Sequence, residues 1–137
     1  MKKLILSFIL IAIAASVSAQ AFKKGMFISI HTTNVTLQPG VTLDQYKEFY
    51  MTKVIPEYEN LIPELKGYLV SAVRGEKKGS IGTMWTFSTE KEREKYFNDD
   101  GTPTEVGKAN QQKMQPVFDE LSKLGTSINT YTDWVVQ

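Results

Sequence analysis

The sequence predicts an α+β domain of order β-α-β-β-α-β with a four-stranded antiparallel sheet, and three observations carry this. Segments rich in β-branched and aromatic residues alternate with segments whose apolar residues recur every three or four positions. Two of the helical segments open on a threonine capping box, and Gly, Pro and Asn-Asp clusters mark the turns. No Pro-, Gly- or Ser-rich linker interrupts this order, so the elements belong to one domain.

The first nineteen residues stand apart from that domain. Met1-Lys2-Lys3 is a short basic start, Leu4 to Ala15 is apolar, and Val17-Ser18-Ala19 supplies small residues before a cleavage point after Ala19. The apolar run is shorter than the ~20 residues of a membrane-spanning helix, and no cysteine is present to carry a lipid. The expectation is a signal peptide at 1–19 and a single domain at 20–137. The protein is then an exported bacterial one, periplasmic or extracellular, with no membrane attachment after cleavage. Removing nineteen residues from 137 leaves 118, enough for one core and too few for two.

Met26 to Val35 is read as the first strand. One face carries Met26, Ile28, Ile30, Thr32 and Asn34, the other Phe27, Ser29, His31, Thr33 and Val35. Gln38-Pro39-Gly40 turns the chain, and Thr42 with Gln45 caps a helix whose stripe is Tyr46, Phe49, Tyr50, Val54, Tyr58, Leu61, Ile62 and Leu65. Pro56 predicts a kink near Val54 and Ile55. Gly67 is expected to close this helix. Tyr68 to Arg74 and Ser80 to Ser88 follow as antiparallel strands joined by the Gly75-Glu76-Lys77-Lys78-Gly79 loop. Thr89 with Glu92 caps a short helix, in which Glu90/Arg93, Lys91/Glu94 and Glu92/Lys95 are opposite charges three apart. Asn98 to Pro103 breaks it. Met114, Val117, Phe118, Leu121 and Leu124 then form the stripe of a further helix, and Gly125 leads into a last strand from Thr126 to Val136.

An internal echo supports two similar halves. Pro56-Glu57-Tyr58-Glu59-Asn60-Leu61 parallels Pro116-Val117-Phe118-Asp119-Glu120-Leu121, and each run leads through a glycine into a strand. Two β-α-β halves of this kind make a ferredoxin-like sheet. The strand faces add a second expectation. Helices cover one face of such a sheet, so the other should be polar, yet Met84, Tyr68, Val70 and Ala72 oppose the apolar residues of their own strands. Ile128, Trp134 and Val136 likewise oppose Tyr131 and Val135. A second copy packing its sheet on this one would cover the excess, which predicts a homodimer.

The element order, the run Ile62-Pro63-Glu64-Leu65-Lys66-Gly67-Tyr68 before a strand, and Trp85-Thr86-Phe87-Ser88-Thr89-Glu90 between strand and helix resemble the dimeric α/β barrel superfamily. The nearest resemblance is to antibiotic-biosynthesis-monooxygenase-like domains, over about residues 26–136. It implies two sheets closing into a barrel, helices outside, and a ligand cavity in each subunit. The superfamily includes cofactor-independent oxygenases, haem-degrading enzymes, isomerases and dehydratases, and a shared fold does not choose among them.

Composition narrows the chemistry. The absence of cysteine excludes disulfides, thiolate metal sites and a cysteine nucleophile. With 16 Lys+Arg against 15 Asp+Glu, or 14 against 15 once Lys2 and Lys3 are removed, nothing marks a nucleic-acid partner. No phosphate-binding loop, dinucleotide fingerprint, nucleophile elbow or metal-ligand cluster is present, so no cofactor and no metal are expected. Asn98-Asp99-Asp100-Gly101 lacks the spaced oxygen ligands of a calcium loop and reads as a turn.

His31, the single histidine, is the best candidate for a catalytic group. It serves as a general base if it faces a cavity beside Ser29 and Thr33, and only as a packed interface residue if it does not. Tyr46 and Tyr50 on the helix stripe, with Trp85 on the third strand, are the further ligand-binding candidates: rings for an apolar wall, phenols for a carbonyl or aromatic hydroxyl. Each also has a plain packing role available. Haem-degrading relatives imply an Asn, a Trp and a following-helix His, matched by Asn34 and Trp85, but Glu90 to Leu124 holds no histidine. Arg74 is read as a solvated charge at a strand end. The sequence thus predicts an exported dimeric α/β-barrel protein binding a small apolar or aromatic molecule, with cofactor-independent monooxygenase-like activity as the chemical reading. The alternative is a non-catalytic binding or interaction module.

Overall fold

The computed structural model describes residues 22–137, so the signal peptide assigned to residues 1–19 lies outside the described residues. The elements are β1 (Phe27–Leu37), α1 (Leu43–Phe49), a π-helical turn (Tyr50–Val54), α2 (Ile55–Leu61), β2 (Lys66–Ser71), β3 (Ile81–Phe87), α3 (Glu90–Arg93), α4 (Glu105–Ser122) and β4 (Gly125–Val135). The four strands form one sheet in the order β2-β3-β1-β4 with antiparallel neighbours throughout. This is the ferredoxin-like α+β arrangement that the sequence predicts.

Alternation along β1 decides which side the helices cover. Phe27, Ser29 and Thr33 are buried on the helix side, as are Ile81, Thr83, Trp85 and Phe87 of β3. One core cluster gathers Phe27, Ile55, Ile62, Leu65, Trp85, Phe87 and Tyr96. A second joins Tyr46, Val54, Ile81, Met114 and Leu121, where the stripe of α4 meets α1 and the π turn. None of the helices among the described residues covers the opposite face of the sheet. Ile30, Tyr68, Val70, Ile128 and Trp134 lie there with 41, 40, 37, 74 and 57% of their surface exposed, which matches the apolar excess in the sequence.

Local chemistry explains where the boundaries moved. Thr42 and Gln45 form the full reciprocal box, Gln45 N to Thr42 Oγ1 at 3.2 Å and Thr42 N to Gln45 Oε1 at 2.8 Å. Pro56 lacks an N–H, and the chain before it widens, with the Ile55 N–H donating to the Tyr50 carbonyl five residues back. The predicted kink is this π turn. Helix α2 stops at Leu61 rather than Gly67, because Pro63 follows directly and cannot continue it. Gly67 instead belongs to β2, where a Cβ would run into the Trp85 ring. Strand β2 likewise ends at Ser71, leaving Val73 and Arg74 in the exposed loop. Helix α3 is a single turn, too short for its expected internal charge pairs. Arg93 pairs with Asp133 and Lys95 with Glu64 instead.

Candidate functional site

Between the helix side of the sheet and the helices lies a cavity of about 300 Å³. Phe27, Trp85, Tyr58, Ile62 and Phe118 make its apolar wall, and Ser29, His31, Arg93, Asn129 and Asp133 a polar end. The β1–β4 register builds that end: Ser29 faces Asp133, His31 faces Tyr131 and Thr33 faces Asn129 across the ladder. The wall is held by edge-to-face packing of Tyr58 on Trp85, with ring centres 5.2 Å apart.

His31 is half-buried, and its ring stacks on Tyr131 at 5.3 Å between centres. Its Nε2 lies 3.0 Å from Ser29 Oγ, which donates to Asp133 Oδ1. Burial pulls the imidazole pKa below its ordinary value of 6.5, and the negative charge of Asp133 offsets part of that. The ring is therefore neutral at neutral pH. Asp133 engages Ser29 and Arg93 rather than His31, so these residues do not form a Ser-His-Asp triad, in which the carboxylate must hold the histidine.

Arg93 closes the polar end from α3. Its guanidinium donates to the carbonyls of Phe97 and Asn98 at 3.2 and 2.6 Å and lies 3.5 Å from Asp133 Oδ2. It also sits 5.5 Å from the centres of the Phe27 and Phe97 rings. Arg93 and Asp133 are thus paired with each other within the site.

Tyr50, the first residue of the π turn, lines the cavity. Burial pushes its pKa up, and the neighbouring Tyr58 and Tyr46 add to the shift. Burial also raises Tyr58, to about 12, so both phenols keep their protons and can donate.

Of the four predicted site residues, the structure brings His31, Tyr50 and Trp85 round one cavity. Tyr46 does not line it. It is fully buried behind Tyr50, with ring centres 6.1 Å apart, and its hydroxyl has no partner among the described residues. The α1 stripe turns Tyr46 toward Met114 and Ile81 instead. Asn34 pairs with Ile128 on the open side of the sheet, away from this cavity. Asp100 accepts from Thr102 N and Oγ1 at 2.9 and 2.6 Å, a turn as expected. No group of three or more metal-ligating side chains occurs among the described residues, and none of their helices is long and apolar enough to cross a membrane.

Arg93 and Asp133 are the site residues that sequence reasoning missed. Asp133 was within reach, since it shares a strand face with Tyr131. Arg93 was not: in a charged run, an arginine three residues after a glutamate gives no sign that it turns inward.

No protein-family model matches the chain, and no curated protein matches it. Among solved structures, a NIPSNAP-family protein of unknown function from Agrobacterium tumefaciens superposes with a TM-score of 0.50 at 16% identity, over 86% of this chain and 96% of that one. SnoaB, a cofactor-independent oxygenase from Streptomyces nogalater, gives 0.45 at 10% identity, over 79% and 91% of the two chains. A dimeric protein of unknown function and ferredoxin-like fold from Bacteroides fragilis gives 0.44 at 11%, over 83% and 99%. At such identities the likeness is one of fold. Together with the strand order, the Agrobacterium structure bears out the ferredoxin-like α+β fold of this chain.

Proposed function

We propose that this is an exported homodimeric protein that binds one small, neutral aromatic molecule bearing a hydroxyl group in the cavity of each subunit. The observation that carries the reading is the division of that cavity into an aromatic wall and a compact polar end. Rings of this kind bind a flat apolar ligand, while a few polar groups fix its orientation. Arg93 and Asp133 already neutralise one another, which leaves no free charge among the described lining residues to favour an ionic ligand.

His31 is the residue we assign to take the proton of the bound hydroxyl, since it is neutral at neutral pH and within the cavity. The phenolate so formed is electron-rich, and an electron-rich phenolate is the form that dioxygen oxidises most readily without a cofactor. This is the monooxygenase-like part of the proposal. The plain binding-module reading draws on a different observation, that Asp133 holds Ser29 and Arg93 rather than His31.

The homodimer forms through the face of the sheet that no helix among the described residues covers. A second copy of the same face is self-complementary about a two-fold axis and covers Ile30, Val70, Ile128 and Trp134. Export rests on the sequence of residues 1–19.

Titration calorimetry with a naphthol tests the binding claim. The expected result is one naphthol per chain with a negative heat-capacity change, and weaker binding of a naphthalene sulfonate. Asn129 is exposed at the cavity's edge, so Asn129→Trp fills the space without disturbing the core, and it should abolish the heat. Equal binding to the variant would place the ligand elsewhere.

A further inference from the structure

Ser29 stands between the histidine and the carboxylate. Ser29 and His31 lie two residues apart on the helix side of β1, and Ser29 faces Asp133 across the ladder to β4. A serine hydroxyl has one proton to give, and a carboxylate can only accept. That proton goes to Asp133 Oδ1, 2.5 Å away. Were it turned to His31 instead, two oxygens would stand at that separation with no hydrogen between them. The Ser29 oxygen therefore accepts from His31 Nε2 at 3.0 Å, which puts the ring hydrogen on Nε2 and the lone pair on Nδ1.

The surroundings favour this arrangement from each side. Tyr131 of β4 stacks on the ring, and Asp133 of β4, Tyr50 of the π turn, Tyr58 of α2 and Arg93 of α3 line the same cavity. Asp133 is the one carboxylate in this set, and Arg93 holds its second oxygen, so Oδ1 stays directed at Ser29. Tyr131 stacks on the imidazole and fixes its plane. Nδ1 has no hydrogen-bond partner among the described residues.

We infer that Ser29 is a positioning residue that couples His31 to Asp133, fixes the Nε2-protonated tautomer and leaves Nδ1 as the atom that takes the ligand's proton. This rests on the assignment of His31 as the base. In the step, the ligand O–H bond breaks, its electron pair stays on the ligand oxygen, and the proton forms a bond to Nδ1. The imidazolium keeps its Nε2–H bonded to Ser29, whose own proton stays directed at Asp133, and the ligand oxyanion balances the new charge. The arrangement is a carboxylate-histidine pair with a serine inserted.

Because His31 is the single histidine, protein labelled with ¹⁵N in histidine alone reports this ring without assignment. In the ligand-free protein above its titration, the expected spectrum shows a protonated Nε2 and an unprotonated Nδ1. Ser29→Ala should lose that single tautomer, while Ser29→Thr, which keeps the hydroxyl, should retain it. Asp133→Asn should shift the titration midpoint downward, because the charge that raises it is gone. An Nδ1-protonated ring in the wild type overturns the inference. So does a tautomer that stays single in both Ser29→Ala and Asp133→Asn. No ligand is present in these samples, so a failure here and a failure of naphthol binding are separate results.

Discussion

A half-buried imidazole makes stability depend on pH in a direction that can be worked out. Burial holds the folded-state pKa of His31 below the 6.5 of an exposed histidine, so on acidification the unfolded chain takes up this proton first. Above that value both states are neutral at this position and the residue costs nothing. Stability falls as the pH drops through it, until the folded-state pKa is passed and the loss becomes constant. Urea midpoints measured from about pH 7 to about pH 5 should fall more steeply for the wild type than for His31→Asn, which removes this component. Parallel slopes would mean that His31 is solvated. At this scale the sequence was informative wherever strand alternation applied: the two-residue period alone sets His31 and Ser29 on one face of their strand, and Trp85 on one face of its own with Phe87. Tyr46 shows the limit, since a helical stripe wide enough to serve two clusters does not say which of its tyrosines meets the cavity.

Elements decide how firmly that cavity is closed. Helix α4 is capped by Thr104, whose hydroxyl accepts from Gly107 N at 3.2 Å and donates to the Lys95 carbonyl at 2.7 Å. One side chain thus caps the helix and ties it to Lys95, which lies between Arg93 at the end of α3 and Phe97, both lining the site. Thr104→Ala is expected to cost about 1–2 kcal/mol in a denaturant melt, at the upper end for a cap because both bonds go. A loss below about 0.3 kcal/mol would show that water replaces them. The helix periods and turn residues gave the order of elements, because each follows from local chemistry. Lengths were less accessible. The helix expected to run to Gly67 is ended earlier by Pro63, and Gly67 lies in β2, where a Cβ would meet the Trp85 ring. At the π turn, Pro56 announces a disturbance, and the chain widens over the residues before it.

On the scale of the whole molecule, the sheet has one face under the helices and one apolar face that the described residues leave open. Ile30 sits centrally on the open side, paired with Met84 and Thr132, so a charge there disturbs no core contact. Ile30→Asp is expected to turn a sedimenting dimer into a folded monomer at micromolar concentration. A variant that still sediments as a dimer would move the interface to another surface. This excess of apolar residues was legible because β-strand alternation separates the two faces without reference to distant contacts. The polar end of the cavity was not, since it is assembled from β1, α3 and β4 by the register of a long-range strand pair. The central claim, that this cavity holds a small aromatic hydroxyl compound against His31, is tested most directly by adding a naphthol to protein labelled with ¹⁵N in histidine. Both ring signals should move together and saturate at one naphthol per chain, with Nδ1 showing the larger change. Ring signals that stay fixed while millimolar naphthol remains free in solution would contradict it.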